Sequence, residues 1–306
     1  MPGNCCILPG LSNILKRIEL VLSRKIVKIM TGMILMGILL LYQWMVSPID
    51  QFNIGPGVNG PCAISSFHKI LKYWQRDVPV AELVSLANDQ YNLLKRWTSA
   101  KYQLGRLSLL AEKYNLSCLY CCGDQNDIEK LCKLGIPVLI HTFLADTSHM
   151  TVMTGIREAP KHYTFADSYT SDYRVFAEKD FARIWNFQNN EYVVIAPKNK
   201  IPEWVVEDAG FAAKVNACLL YSQWQDKVYP ENLQSLMSEL EGLRELSRGH
   251  SSDLYYWIIS AYIAELEEKN NEFVSALQNV VRIKPDYEMF VDFLDNAEKK
   301  TETRPD

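Results

Sequence analysis

The chain has 306 residues, of which 48% are hydrophobic and 22% charged, and its formal net charge is −4. These proportions exclude a disordered chain and are sufficient for one medium-sized domain and a smaller one. The mild acidity, together with the lack of an Arg/Lys-rich aromatic stripe in the sequence, excludes a nucleic-acid-binding protein, so we expect no nucleic-acid partner.

The first apolar segment covers residues 29–46, which is 18 residues without a charge. As a helix it would be roughly 27 Å long, just enough to cross a bilayer. Segment 1–28 before it is basic and is expected in the cytoplasm, and its residues 11–22 can form a short amphipathic helix on the inner membrane surface. Because basic flanks stay in the cytoplasm, we expect a single-pass signal anchor with the bulk of the chain extracytoplasmic. A cleaved signal peptide is the alternative, although the residues that follow this segment lack the cleavage motif of two small residues separated by one residue.

Residues 47–200 show helical patterns first and strand patterns afterwards, an order typical of an α+β domain. The first helix starts at Gly60-Pro61, because proline suits the first helical position, and apolar residues at helical spacing continue it to Trp74. Further helices are predicted over 80–87, 104–114, 127–135 (with Asp127 as its cap) and 180–185. Strands are predicted over 116–122, 137–141, 149–154, 163–167 and 192–196.

From residue 201 onward the patterns predict only helices, over 205–223, 233–246, 254–268 and 272–283. The pair around Trp257, Leu277 and Pro285 has partial tetratricopeptide (TPR) spacing. We therefore interpret residues 201–306 as a helical hairpin domain, with TPR-like ancestry as one interpretation.

The chain contains eight cysteines, and three of them cluster in Cys118-x-x-Cys121-Cys122. A zinc site would need a second Cys or His pair at ligand spacing, and the sequence offers none. Small buried side chains, or one disulfide on the extracytoplasmic side, explain the cluster better. We expect no metal and no cofactor.

Three places in the chain have the order of a nucleophilic catalytic site. Segment 59–63 (Asn-Gly-Pro-Cys-Ala) opens the first helix, His149 opens a strand, and Asp167 ends the next strand. A nucleophile at a helix N-terminus is activated by the helix dipole, a His takes its proton, and an Asp orients that His. Adjacent antiparallel strands would bring His149 and Asp167 together. Taken singly, Asn59 reads as a helix cap, His149 as a surface residue and Asp167 as a turn residue.

Four further segments support the catalytic interpretation: an aromatic pair at 73–74, Gly-Ile-Pro-Val-Leu-Ile at 135–140, His-Met-Thr-Val-Met-Thr-Gly at 149–155 and Phe-Ala-Arg-Ile-Trp at 181–185. With these segments, residues 51–197 resemble the bacteriocin-processing (double-glycine leader) peptidases, the C39-like family of papain-like cysteine proteases. The resemblance implies a papain-like fold, with an N-terminal helix packed on an antiparallel sheet. It also implies that His149 is the base and that Asp167 orients it.

The chain departs from that family at the nucleophile. The family's Cys aligns with Asn59 and its oxyanion-hole Gln with Asn53, and a carboxamide is not a nucleophile. Cys62 lies three residues later, so we expect its thiol roughly 4.5 Å deeper along the helix, where a misplacement of about 1 Å already costs on the order of a hundredfold in rate.

We therefore favour a membrane-anchored, catalytically degenerate protein that binds a peptide or protein ligand. Two alternatives stay open. One is an active cysteine peptidase that uses Cys62 with His149 and Asp167. The other is a helical interaction scaffold formed by residues 202–306.

Overall fold

The computed structural model describes residues 62–89, 101–144, 147–167, 173–187, 189–225, 232–249 and 253–302. The helices are α1 (Cys62–Tyr73), α2 (Val80–Asp89), α3 (Lys101–Lys113), α4 (Gln125–Lys133), α5 (Glu178–Asn186), α6 (Ala209–Gln225), α7 (Leu233–Leu246), α8 (Leu254–Leu266), α9 (Asn270–Ile283) and α10 (Glu288–Glu302). The strands are β1 (Ser117–Cys122), β2 (Val138–Leu144), β3 (Thr147–Glu158), β4 (Lys161–Ala166), β5 (Tyr173–Ala177) and β6 (Glu191–Ala196).

The six strands form one sheet in the order β1-β6-β2-β3-β4-β5, and every neighbouring pair is antiparallel. The last strand of the chain, β6, returns to lie between β1 and β2. The predicted α+β class with an antiparallel sheet is therefore confirmed. Because β3 and β4 are antiparallel neighbours, the start of β3 and the end of β4 lie at the same end of the strands.

Helix α1 lies against β3 and is the most deeply buried helix of this region. All residues from Cys62 to Leu71 are buried, and the side chains of Phe67 and Ile70 are completely inaccessible. Since α2 and α3 also contact α1, this helix is enclosed on several sides. The apolar spacing that predicted α1 therefore corresponds to a central helix that fixes whatever its first turn carries.

A buried ion pair joins the sheet to the C-terminal helices. Lys214 of α6 places its Nζ 2.6 Å from Oε1 of Glu191, the first residue of β6, and the Tyr255 hydroxyl of α8 donates to the same oxygen at 3.2 Å. His141 Nδ1 lies 3.7 Å from Glu191 Oε2. Burial alone would raise the pKa of Glu191, but the Lys214 ammonium and His141 outweigh it and lower that pKa. Both partners are therefore charged, and the described residues after 200 pack against the sheet.

One strand, one α-helix and the short 3-10 helix Lys198–Lys200 were not predicted, and one cap was wrong. Strand β5 has an exposed start at the edge of the sheet, and α10 follows Pro285; neither had been recognised from its sequence. Helix α4 is capped by Asp124, whose side chain accepts a hydrogen bond from the Asp127 N–H, while the Asp127 carboxylate bonds back to the Asp124 N–H. Asp127 therefore occupies the third helical position of a capping box and is not the cap.

Two further predictions concern the membrane anchor and the division into domains. Among the described residues, no helix is both long enough and apolar enough to cross a membrane, and the predicted anchor at 29–46 lies outside those residues. The division into domains 47–200 and 201–306 stays a prediction, although α8 packs against α9 as expected for a helical hairpin.

Candidate active site

Cys62 is the first residue of α1 and is buried, so its thiol lies at the positive end of the helix dipole. The side chain of Cys62 is hydrogen-bonded to the imidazole of His149. The expectation that this thiol would lie too deep along the helix is therefore wrong. The sequence carried a signal for this, because proline favours the first helical position and Cys62 directly follows Pro61.

His149 and Asp167 also meet. His149 belongs to β3, Asp167 follows the last residue of β4, and His149 Nε2 lies 3.4 Å from Asp167 Oδ2. His149 is 8% exposed and Asp167 is completely buried. Neither residue is the surface His or turn residue of the simpler interpretation. The structure therefore brings Cys62, His149 and Asp167 together in one chain of contacts.

The imidazole of His149 is held in its charged form. Burial lowers the pKa of His149, but the hydrogen bonds to Asp167 and Cys62 and the charges of these partners outweigh burial, and they raise the pKa to about 9. An imidazolium beside a thiol stabilises the thiolate, which is the nucleophilic form of cysteine. This arrangement can therefore carry out nucleophilic attack and proton transfer at a single carbonyl.

Two basic residues that the sequence had not singled out contact Asp167. Arg174 of β5 places Nε 2.5 Å from Asp167 Oδ2, and Lys69 of α1 donates from Nζ to the main-chain carbonyl of Asp167. Arg174 is half-exposed, whereas Lys69 is completely enclosed. The sequence did carry a signal for Lys69, because it lies seven residues after Cys62 and therefore on the same helix face.

The two asparagines that the family alignment singled out, Asn53 and Asn59, lie outside the described residues. The six described cysteines, namely Cys62, Cys118, Cys121, Cys122, Cys132 and Cys218, are free thiols. Within the described part of the chain, no group of three or more His, Cys, Asp or Glu side chains is arranged to hold a metal ion.

Comparison with known proteins gives one family match. Residues 44–193 match the model of the Peptidase_C39 like family. Among solved structures, the chain is similar to the peptidase domain of Streptococcus ComA, a bifunctional ABC transporter involved in a quorum sensing pathway. That match has 16% sequence identity and a TM-score of 0.37, and it covers 47% of this chain and 96% of that chain. No curated protein matches the chain.

Proposed function

Because residues 44–193 belong to the Peptidase_C39 like family, we propose that this protein is a cysteine peptidase with Cys62 as its nucleophile. His149 serves as the proton carrier and Asp167 orients it. The observation that supports this proposal is the hydrogen bond between the Cys62 thiol and His149, at the start of a helix and next to a buried carboxylate.

The proposed reaction uses the two nitrogens of His149 separately. Asp167 contacts Nε2 of His149, so Nδ1 is the nitrogen that interacts with the Cys62 thiol. The Cys62 thiolate attacks the peptide carbonyl and forms the C–S bond, and the imidazolium then gives its proton to the departing amine as the C–N bond breaks. Water then attacks the thioester carbonyl while neutral His149 takes its proton. The C–S bond breaks, the new carboxyl product leaves, and the thiolate and imidazolium are restored.

Catalytic degeneracy, which the alignment with Asn59 favoured, is the competing proposal. It requires that the position facing His149 carry no nucleophile. The contact between Cys62 and His149 supports the active peptidase instead. Anchoring through residues 29–46, an extracytoplasmic location, a peptide or protein ligand and the papain-like fold remain parts of the proposal.

A peptide library tests the proposal directly. The full chain is incubated at neutral pH with extended peptides, and products are identified by mass spectrometry. We expect cleavage after a limited set of sequences. A metal chelator should not affect this cleavage, and iodoacetamide should stop it. A folded protein that cleaves no peptide, or whose cleavage survives alkylation of Cys62, contradicts the proposal.

The pH dependence of cleavage is expected to follow His149. His149 must hold a proton to deliver it to the leaving amine, so kcat/KM should fall as the pH rises through about 9, where His149 loses that proton. Asp167→Asn removes an interaction that raises the pKa of His149, so the alkaline limit should move down by about one pH unit or more. Exposed Asp180→Asn is the matched control and should leave the limit in place. Profiles of kcat/KM against pH check both statements, and an unchanged limit in Asp167→Asn would contradict the role of Asp167.

A further inference from the structure

The helix that carries Cys62 presents two more polar side chains on the same face. Cys62, Ser66 and Lys69 are separated by four and three residues, so they lie one above the other along α1. All three are buried. Buried polar side chains are uncommon unless they have partners, so their partners indicate what they do.

Each member of this face contacts one of the two chain segments that carry the other catalytic residues, the start of β3 and the residue after β4. Cys62 bonds to the side chain of His149. Ser66 donates from Oγ to the main-chain carbonyl of Met150, the residue after His149, at 3.1 Å. Lys69 donates from Nζ to the main-chain carbonyl of Asp167 itself. One helix face is therefore joined to the main chain at both strand positions of the site.

Lys69 is an unusual residue to find here, since lysine is rarely buried without a compensating partner. It is 1% exposed. Burial lowers its pKa, and the negative charge of Asp167 partly offsets this, so that the pKa lies at about 8. At neutral pH the Lys69 ammonium is thus a buried cation directed at Asp167, and its ε-amino group remains a hydrogen-bond donor on either side of that pKa.

We propose, on the basis of the proposed function, that Ser66 and Lys69 are positioning residues that hold the Cys62 helix in register with His149 and Asp167. A helix advances about 1.5 Å per residue, and a misplacement of about 1 Å at reacting atoms can cost on the order of a hundredfold in rate. Main-chain bonds at Met150 and Asp167 prevent such a slip, because main-chain atoms cannot move without the strands. Neither residue touches the reacting atoms.

The test uses the pKa of His149, measured by NMR in the full chain with labelled imidazoles. The chain has five histidines, and His149→Gln assigns the relevant signal. Lys69→Met keeps the length of the side chain but removes its donor and charge. If Lys69 were only a nearby cation, its removal would raise the pKa of His149. If Lys69 positions Asp167, the pKa should instead fall by about one unit, because the Asp167 contact is weakened.

Three further variants complete the test. Lys72→Met removes an exposed lysine from the same helix and should leave the pKa of His149 unchanged. Lys69→Arg retains a donor and a charge and should bring the pKa of His149 most of the way back to its wild-type value. Ser66→Ala is a small change that keeps the fold, and it should lower the pKa of His149 by about half a unit. If Lys69→Met does not fold, Ser66→Ala tests the positioning proposal by itself. A raised or unchanged pKa of His149 in the folded variants overturns the proposal.

Cleavage assays on the same variants separate this proposal from the proposed function. For an active wild type, kcat should fall about tenfold or more in Lys69→Met with KM little changed, since reacting groups are misplaced while peptide binding is kept. If the variants show the pKa shifts but the wild-type protein cleaves no peptide, the peptidase proposal is overturned and the positioning role stands. Cleavage without the pKa shifts does the reverse.

Discussion

Replacement of Cys62 by Ser is expected to lower kcat/KM for peptide cleavage by at least about a thousandfold. The reason is chemical: the imidazolium of His149 stabilises a thiolate, whereas a serine hydroxyl in the same place stays protonated. Cys62 and Ser have similar volumes, so the buried start of α1 should keep its packing. Initial rates on the best peptide from the library measure the effect.

Two variants control this experiment. Cys132→Ser replaces another buried cysteine, in α4, and should retain activity within a few-fold. Asn59→Ala tests the family alignment: if Cys62 is the nucleophile, loss of the carboxamide at residue 59 should leave cleavage within a few-fold of wild type. More than a tenth of the activity remaining in Cys62→Ser would exclude Cys62 as the nucleophile.

Lys214→Met is expected to lower the free energy of unfolding by about 3–5 kcal/mol. This substitution removes the ammonium 2.6 Å from Glu191 Oε1 and leaves a fully buried carboxylate without its main partner. His141 lies 3.7 Å from the other carboxylate oxygen and cannot replace the lost contact at 2.6 Å. Urea unfolding followed by circular dichroism measures the loss.

The double variant Glu191→Gln/Lys214→Met distinguishes an ion pair from ordinary packing. It removes both charges, so much of the lost stability should return, because no unpaired charge remains in the core. Exposed Lys198→Met, in the short turn of helix after β6, should change the free energy of unfolding by less than about 0.5 kcal/mol. A loss below about 1 kcal/mol in Lys214→Met would show that the pair does not hold the helices to the sheet.

This ion pair also changes how the scaffold hypothesis for residues 202–306 should be tested. Deletion of those residues would remove Lys214 and Tyr255. The Glu191 carboxylate would then be exposed, or buried without these two partners. Loss of a binding partner after such a deletion could then reflect unfolding of the sheet. Point substitutions on the exposed faces of the C-terminal helices avoid that ambiguity.

Much of this architecture could be predicted from sequence, because the elements with strong patterns bury one apolar face each. Helix α1 and strands β2, β3, β4 and β6 all lie near their predicted positions. Strand β5 escaped prediction because its first three residues are exposed, so no alternation of apolar and polar residues marks it. It is held by main-chain pairing with β4, which leaves no mark on a single sequence.

The site was predicted in part for a similar reason. His149 and Asp167 could be paired because two adjacent antiparallel strands place the start of one beside the end of the other. The helix start was predicted at Gly60-Pro61, but the nucleophile position was assigned to Asn59, because the alignment with a family motif was given more weight than that helix start. The Glu191–Lys214 pair had no signal at all, because a strand residue and a helix residue 23 positions apart are joined only by tertiary packing.

The alkylation rate of Cys62 in the folded full chain tests the central claim most directly. Burial raises the pKa of Cys118, Cys121 and Cys122, so these thiols are slow internal references. We expect iodoacetamide at neutral pH to label Cys62 at least about tenfold faster than these references, and His149→Gln to remove most of that advantage. Labelling of Cys62 as slow as the references, or equally fast without His149, would contradict a thiolate–imidazolium pair at this site.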